Sequence, residues 1–231
     1  MRRIADIKAL VHRAEKVLIK INAEYEKALN SKEITSDLRI DIKEYFGNLR
    51  SVLDYLAHDL VDRYCPTANL KNRLYFPICT DEIFFKKTMQ KFYPELIINC
   101  RFAYQILEEL QPFMKPENVW LAYFNKLNNE NKHDKLVAQK RCETKRINVE
   151  TKGGGSVNWD PSAVKFGSGV FIGGVPVNPN TQMPIHSDTQ IVTIETWVDF
   201  HFEDLNVSAI LLIRECLNQI KMILENLKEY L

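Results

Sequence analysis

The feature that most constrains this chain is a three-four alternation of apolar residues held for four heptads near its start. Within segment 2–30 the apolar positions are Ile4, Ile7, Val11, Ala14, Leu18, Ile21, Tyr25 and Ala28. That spacing keeps one helix face turned toward another helix. Segment 38–63 repeats it with Ile42, Tyr45, Phe46, Leu49, Val52, Leu53, Leu56 and Leu60, behind the capping candidates Thr35, Ser36 and Asp37. Two such stripes must both be buried, so the pattern predicts helices packed as a bundle.

The next stretch, 64–80, reads as a connection with a short extended piece around Leu74–Ile78. A short helix is expected over Asp81–Lys91. Pro94 opens another, with Leu96, Cys100, Ala103, Ile106, Leu107 and Leu110 inward and Gln111-Pro112 at its end. Two shorter helices follow near 116–127 and 129–140. Composition then shifts: seven of the eight glycines lie between Gly153 and Gly174, and four of the nine prolines between Pro161 and Pro184. Such a stretch is nearly closed to helix and reads as strands and turns. Segment 191–203 alternates Val192, Ile194, Val198, Phe200 and Phe202 against Glu195, Asp199, His201 and Glu203, a half-buried antiparallel strand. Segment 173–190 reads as a long, mobile, Pro-interrupted loop.

A last helix over 206–230 carries a wide apolar stripe from Ile210 to Leu227 that should return to the bundle. The expected fold is therefore mainly α, a single helical-bundle domain over 1–231. It carries a small antiparallel β-insertion at about 145–203 and a closing helix 206–230.

Charge narrows the function classes. The 231 residues hold 31 basic and 30 acidic side chains, too even a balance for bulk electrostatic grip on nucleic acid, so any such contact needs a local patch. The five cysteines are scattered without metal-ligand or redox spacing, no secretory leader precedes them, and no apolar run could span a bilayer. A soluble, cytoplasmic protein with reduced cysteines and no membrane partner is expected. GGGS and GSGVFIGG lack the lysine and following helix of a phosphate loop, and no nucleophile elbow or His-Glu-x-x-His occurs. Asp199, His201 and Glu203 read as the polar outer face of a strand, so neither cofactor nor metal is expected.

Two polar motifs remain. In Asn48-Leu49-Arg50-Ser51-Val52-Leu53-Asp54-Tyr55-Leu56-Ala57-His58, helical geometry puts Arg50 about 90° and Asp54 about 130° from the core direction, with His58 roughly opposite it. Arg50 and Asp54 suit either an i,i+4 surface pair or an anion site. In the second motif, Asn129, Lys132 and His133 share a helical face, with Lys135 just beyond. That face suits either a hydrophilic helix segment or an anion or acid–base site.

The blocks GNLRSVLDYLAHDL, LYFPI, LEELQPF and NNENKHDKL together resemble a family of uncharacterised bacterial proteins. Its members read His-Asn-Leu-Arg-Ser-Ala-Leu-Asp-His, FPI, QPY and Asn-x-x-Lys-His in the same order. The likeness covers roughly residues 38–140. The first block also resembles the motif of HEPN-type helical proteins, an arginine followed after four to six residues by histidine. Many of these are metal-independent RNases of bacterial toxin and antiphage systems, often dimeric.

Carried onto this chain, the resemblance implies an RNA-directed protein in which Arg50 holds phosphate, Asn48 and Asp54 orient it, and His133 or His58 serves as acid–base group. Tyr55, Asn129, Lys132 and Lys135 complete the expected substrate contacts. Tyr55 stands where the motif histidine falls, and His58 lies eight residues past Arg50. One straight helix cannot focus residues i and i+5 on a single phosphate, which together with the first-helix seam suggests a homodimer. The alternative is a non-catalytic binding or assembly module using the same residues.

Overall fold

Local chemistry sets the helix boundaries. In the computed structural model the described residues are 2–31, 33–68, 74–133 and 136–231, the side chains of Lys132 and His133 excepted. Helix α1 (Ile4–Ser31) buries Ile7, Ala14, Val17, Ile21, Tyr25 and Ala28 within the chain. Helix α2 (Ser36–Tyr64) starts where Thr35 Oγ1 accepts the Leu38 N–H at 3.2 Å. Ion pairs tie the two together: Lys20 to Asp41 at 2.9 Å, and Arg3 to Asp59 and Asp62 at 2.7 and 2.8 Å.

Helix α3 (Glu82–Phe92) is capped by Asp81, whose Oδ1 accepts the Phe84 N–H at 2.7 Å. The helix expected to run on from Pro94 is broken. Cys100, at φ −152° and ψ 77°, separates α4 (Leu96–Asn99) from α5 (Arg101–Glu109). After a 3-10 turn at Pro116–Asn118, α6 (Val119–His133) is one helix where two were expected. Ser208 caps α7 (Ala209–Leu227), which ends in a 3-10 turn at Lys228–Tyr230.

The chain forms two compact units, Met1–Lys140 with His201–Leu231, and Arg141–Phe200. In the first, Leu38, Tyr45, Phe46, Leu49, Leu53 and Leu56 of α2 are fully buried, as are Ile213 and Ile220 of α7. The Tyr45 hydroxyl donates to the Ile213 carbonyl at 2.8 Å, and burial pushes this phenol far above its ordinary pKa. Phe46 meets Phe124 edge-on with ring centres 5.7 Å apart.

The seven strands found among the described residues overturn the mainly α expectation. They are β1 (Gln139–Thr151), β2 (Ser156–Trp159), β3 (Phe171–Ile172), β4 (Val175–Asn178), β5 (Met183–Pro184), β6 (Gln190–Phe202) and β7 (Val207–Ser208). A curled antiparallel four-stranded sheet runs β2-β1-β6-β7, and a second sheet runs β3-β4-β5. The fold is α+β, not a HEPN-like helical bundle with a small sheet.

The error has a physical source. The helix expected near 129–140 runs into the start of β1, and residues 141–146 are too polar to extend the β-insertion back from about 145, whereas Ile147 and Val149, two apart, are the buried positions of a strand. The supposed loop 173–190 contains β4 and β5. Strand β6 is not half-buried along its length either: Ile191 through Trp197 are all exposed, and burial returns only at Phe200 and Phe202. The second unit has its own core of Ile147, Val149, Trp159, Ile172 and Val177. Gly173 is required at the tight turn before β4, where φ is +55° and a Cβ would collide with the Thr151 methyl. No helix of the described residues is long and apolar enough to cross a membrane.

Leu53 is fully buried and Ile19 is 71% exposed. Leu53→Ala should lower the unfolding free energy by about 2–5 kcal/mol, and Ile19→Ala by less than about 0.5 kcal/mol. Urea unfolding of the two variants checks this.

Candidate functional site

Segment 74–79 belongs to no helix or sheet, so its backbone polar groups need partners from elsewhere. Side chains supply them. Asp54 Oδ1 accepts the Phe76 N–H at 2.9 Å, and Arg50 Nη2 donates to the Phe76 carbonyl at 3.3 Å. The Tyr93 hydroxyl donates to the Tyr75 carbonyl at 2.8 Å. Gln111 Nε2 donates to the Pro77 carbonyl at 3.1 Å while its Oε1 accepts the Cys79 N–H at 2.8 Å. Gln111 is completely buried and also reaches the Leu107 carbonyl at 2.6 Å.

Arg50 is the hub. Its Nε donates to Asp54 Oδ2 at 3.2 Å, Nη2 lies 3.1 Å from Oδ1, and Nη1 donates to Asn125 Oδ1 at 3.3 Å. The guanidinium also sits 5.6 Å from the Tyr75 ring centre. Only 8% of the Arg50 side chain and 18% of Asp54 are exposed. This is not the solvated surface pair that the helical angles allow, because segment 74–79 covers that side of α2. Burial, with the nearby Asp54 charge next, pushes the Tyr93 phenol well above its ordinary pKa against the opposing pull of Arg50. Burial likewise raises the Cys79 thiol, opposed by its hydrogen bond with Thr88.

A cavity of about 380 Å³ opens beside this clamp, within the size range of ligand pockets. Arg50, Asn125, Asn128 and Asn129 line it, together with the rings of Tyr75, Phe84 and Phe92. Asn125, Asn128 and Asn129 come from α6 at helical i, i+3, i+4 spacing. Asn128 is 2% exposed, and its side chain makes no hydrogen bond to another described residue. It also lines a second cavity of about 460 Å³, with Arg13, Lys43, Glu44, Asn48 and Asn131. There Asn131 Oδ1 accepts the Val137 N–H at 3.0 Å, while its buried Nδ2 has no partner among the described residues.

The expected site residues are thus divided. Arg50 and Asp54 meet directly, Asn129 shares the Arg50 cavity, and Asn48 lines the neighbouring one. Tyr55 and His58 are half-buried on α2 and line neither cavity. Lys132 and His133 close α6, but their side chains, and all of Lys135, lie outside the described residues. Tyr75, Tyr93, Gln111, Asn125 and Asn128 were not singled out from the sequence. The one available signal was the pairing of FPI with QPF, which structure turns into a backbone clamp. Among the described residues no group of three His, Cys, Asp or Glu could hold a metal ion. Compared with protein-family models, curated proteins and solved structures, the chain matches none.

Removing either end of the clamp strands buried groups. Arg50→Ala leaves the Asp54 carboxylate largely desolvated and should cost roughly 3 kcal/mol. Gln111→Leu orphans the Cys79 N–H and two carbonyls and should cost at least about 1–3 kcal/mol. Chemical denaturation measures both losses.

Proposed function

We propose that this chain is a binding module whose ligand site is the cavity beside Arg50, and that its ligand is single-stranded RNA. The observation that carries the non-catalytic reading is the state of Arg50. Its guanidinium is spent on Asp54, the Phe76 carbonyl and Asn125, leaving it poorly placed to grip a scissile phosphate. The lining favours a ligand that is planar, polar and uncharged where it enters. Tyr75 and Phe84, 48% and 55% exposed, offer aromatic faces. The Asn125, Asn128 and Asn129 amides offer donors and acceptors together. An unstacked base presents that pairing of a flat π-face and a hydrogen-bonding edge. Asn128 joins this cavity to the one carrying Arg13 and Lys43, where phosphates on either side of the base can be met without a large basic surface.

The test is anisotropy with a labelled single-stranded oligoribonucleotide in EDTA, with product analysis of the same samples. Binding without cleavage is expected, weakened by roughly five- to 150-fold in Tyr75→Ala. Because Arg13 and Lys43 are the unspent cations among the described residues lining these cavities, the logarithm of affinity should fall with the logarithm of salt at a slope of about −1.4 or shallower. Cleavage lost in Arg50→Ala would favour the ribonuclease reading instead. Absence of binding would overturn the proposal.

A further inference from the structure

Among the described residues, strand β6 presents an unprotected edge. In the order β2-β1-β6-β7 its inner neighbour is β1, and on the other side β7 pairs only with its last two residues, His201 opposite Ser208 and Phe202 opposite Val207. The Lys152 N–H donates to the Thr189 carbonyl at 2.9 Å, which fixes the parity of the strand. Odd-numbered residues turn their peptide groups toward β1, and those of Val192, Ile194, Thr196 and Val198 turn outward. Edges of this kind are ordinarily guarded by lysine, proline or a bulge. Residues 190–200 contain neither lysine nor proline, and Ile191, Val192, Ile194 and Trp197 are 56%, 39%, 54% and 46% exposed.

We infer that β6 pairs edge to edge, antiparallel, with β6 of a second copy of this chain, about a two-fold axis through Ile194. An open edge asks for an extended partner that completes its hydrogen bonds, and the side chains of β6 select β6 itself. A two-fold at 194 sets Ile194 against its own copy on one face and Ile191 against Trp197 on the other. Cross-strand apolar pairs of this kind stabilise a ladder. Glu195 then faces Thr193, and Asp199 faces Thr189, so no like charges meet. Moving the axis to 195 opposes two Glu195 carboxylates, and moving it to 193 puts Glu195 against Ile191. The register at 194 is the one in which both apolar pairs and charges are satisfied. An isologous contact of this form closes as a dimer and leaves no further β6 edge exposed.

Sedimentation velocity of the full chain at roughly tens of micromolar should show a dimer. Ile194→Lys should raise its dissociation constant at least about tenfold, as a charge guarding an edge does. Ile194→Pro should do the same while leaving the β1 ladder intact, because the N–H it removes points outward. A gain-of-function variant guards against misfolding as an explanation. In the proposed register the two Cα atoms at position 194 lie about 5.5 Å apart, inside disulfide range. Ile194→Cys should therefore cross-link to dimer under mild oxidation. Thr196→Cys, offset from its copy by about 13 Å, should not exceed the wild-type background from its five native thiols. A monomer at these concentrations, a dimer indifferent to both Ile194 substitutions, or cross-linking of Thr196→Cys as efficient as that of Ile194→Cys would overturn the pairing.

Discussion

A largely buried segment outside any helix or sheet must find partners for its peptide groups, and the arrangement of the first unit follows from how segment 74–79 finds them. Asp54 and Arg50 from α2, Tyr93 from the end of α3 and Gln111 just past α5 each bond to it. Five backbone groups are thereby satisfied by four side chains drawn from three helical regions. Each bond is modest net of the water it replaces, but each unmade one would carry the full cost of a buried orphan. The segment therefore ties α2 to α3 and α5 far more strictly than apolar contact alone would. It also fixes alternate side chains: Phe76 goes into the core, and Tyr75 turns out to form a wall of the cavity.

The chemistry explains why an arginine and an aspartate occupy these positions. A buried carboxylate needs a cation, and a guanidinium can bond to both carboxylate oxygens while still reaching a carbonyl and an amide. A lysine ammonium lacks that planar fork. The pair also cancels its own charge, so the cavity beside it is polar without being ionic. That neutrality favours recognition by shape, stacking and amide hydrogen bonds over capture of a bare phosphate. A site of that kind also asks little of bulk charge, and the chain's net charge is only +1.

Much of the helical framework was readable because it depends on local rules. The stripes of α1, α2 and α7 specify their inner faces, and Asp81 and Thr35 cap their helices as their residue types suggest. That 64–80 connects two helices was also legible, and residues 74–79 belong to no helix or strand. What lay beyond reach depends on distant partners. Nothing near Gln111 in sequence says that its amide will be wholly buried and bonded to Pro77 and Cys79. The polar run 139–146 carries no apolar alternation, and becomes strand only because β6, some fifty residues later, lies beside it. Arg50 and Asp54 do meet at i, i+4, but neither the surface pair nor the anion site weighed for them anticipates their burial, since the helical wheel of α2 cannot show what covers it. The blocks LRSVLD, LYFPI and LQPF, which carried the family resemblance, meet in one clamp. Their spacing along the chain therefore reflects a folding requirement as much as a functional one.

That distinction sharpens the meaning of Asn128. The clamp residues Arg50, Asp54, Tyr93 and Gln111 are satisfied by one another or by backbone, as buried polar groups in a stable interior generally are. Asn128 is 2% exposed yet its amide bonds to no other described residue, while it borders two cavities, the one beside Arg50 and the one carrying Arg13 and Lys43. Its amide atoms are not among the fully enclosed unpaired ones; they open on the cavities instead. A helix that needed only packing at this position would be better served by leucine, which precedes it at position 127 and is fully buried. An amide that faces a cavity keeps its donors and acceptors available to water or to a ligand, and a ligand spanning the two cavities would meet it in both.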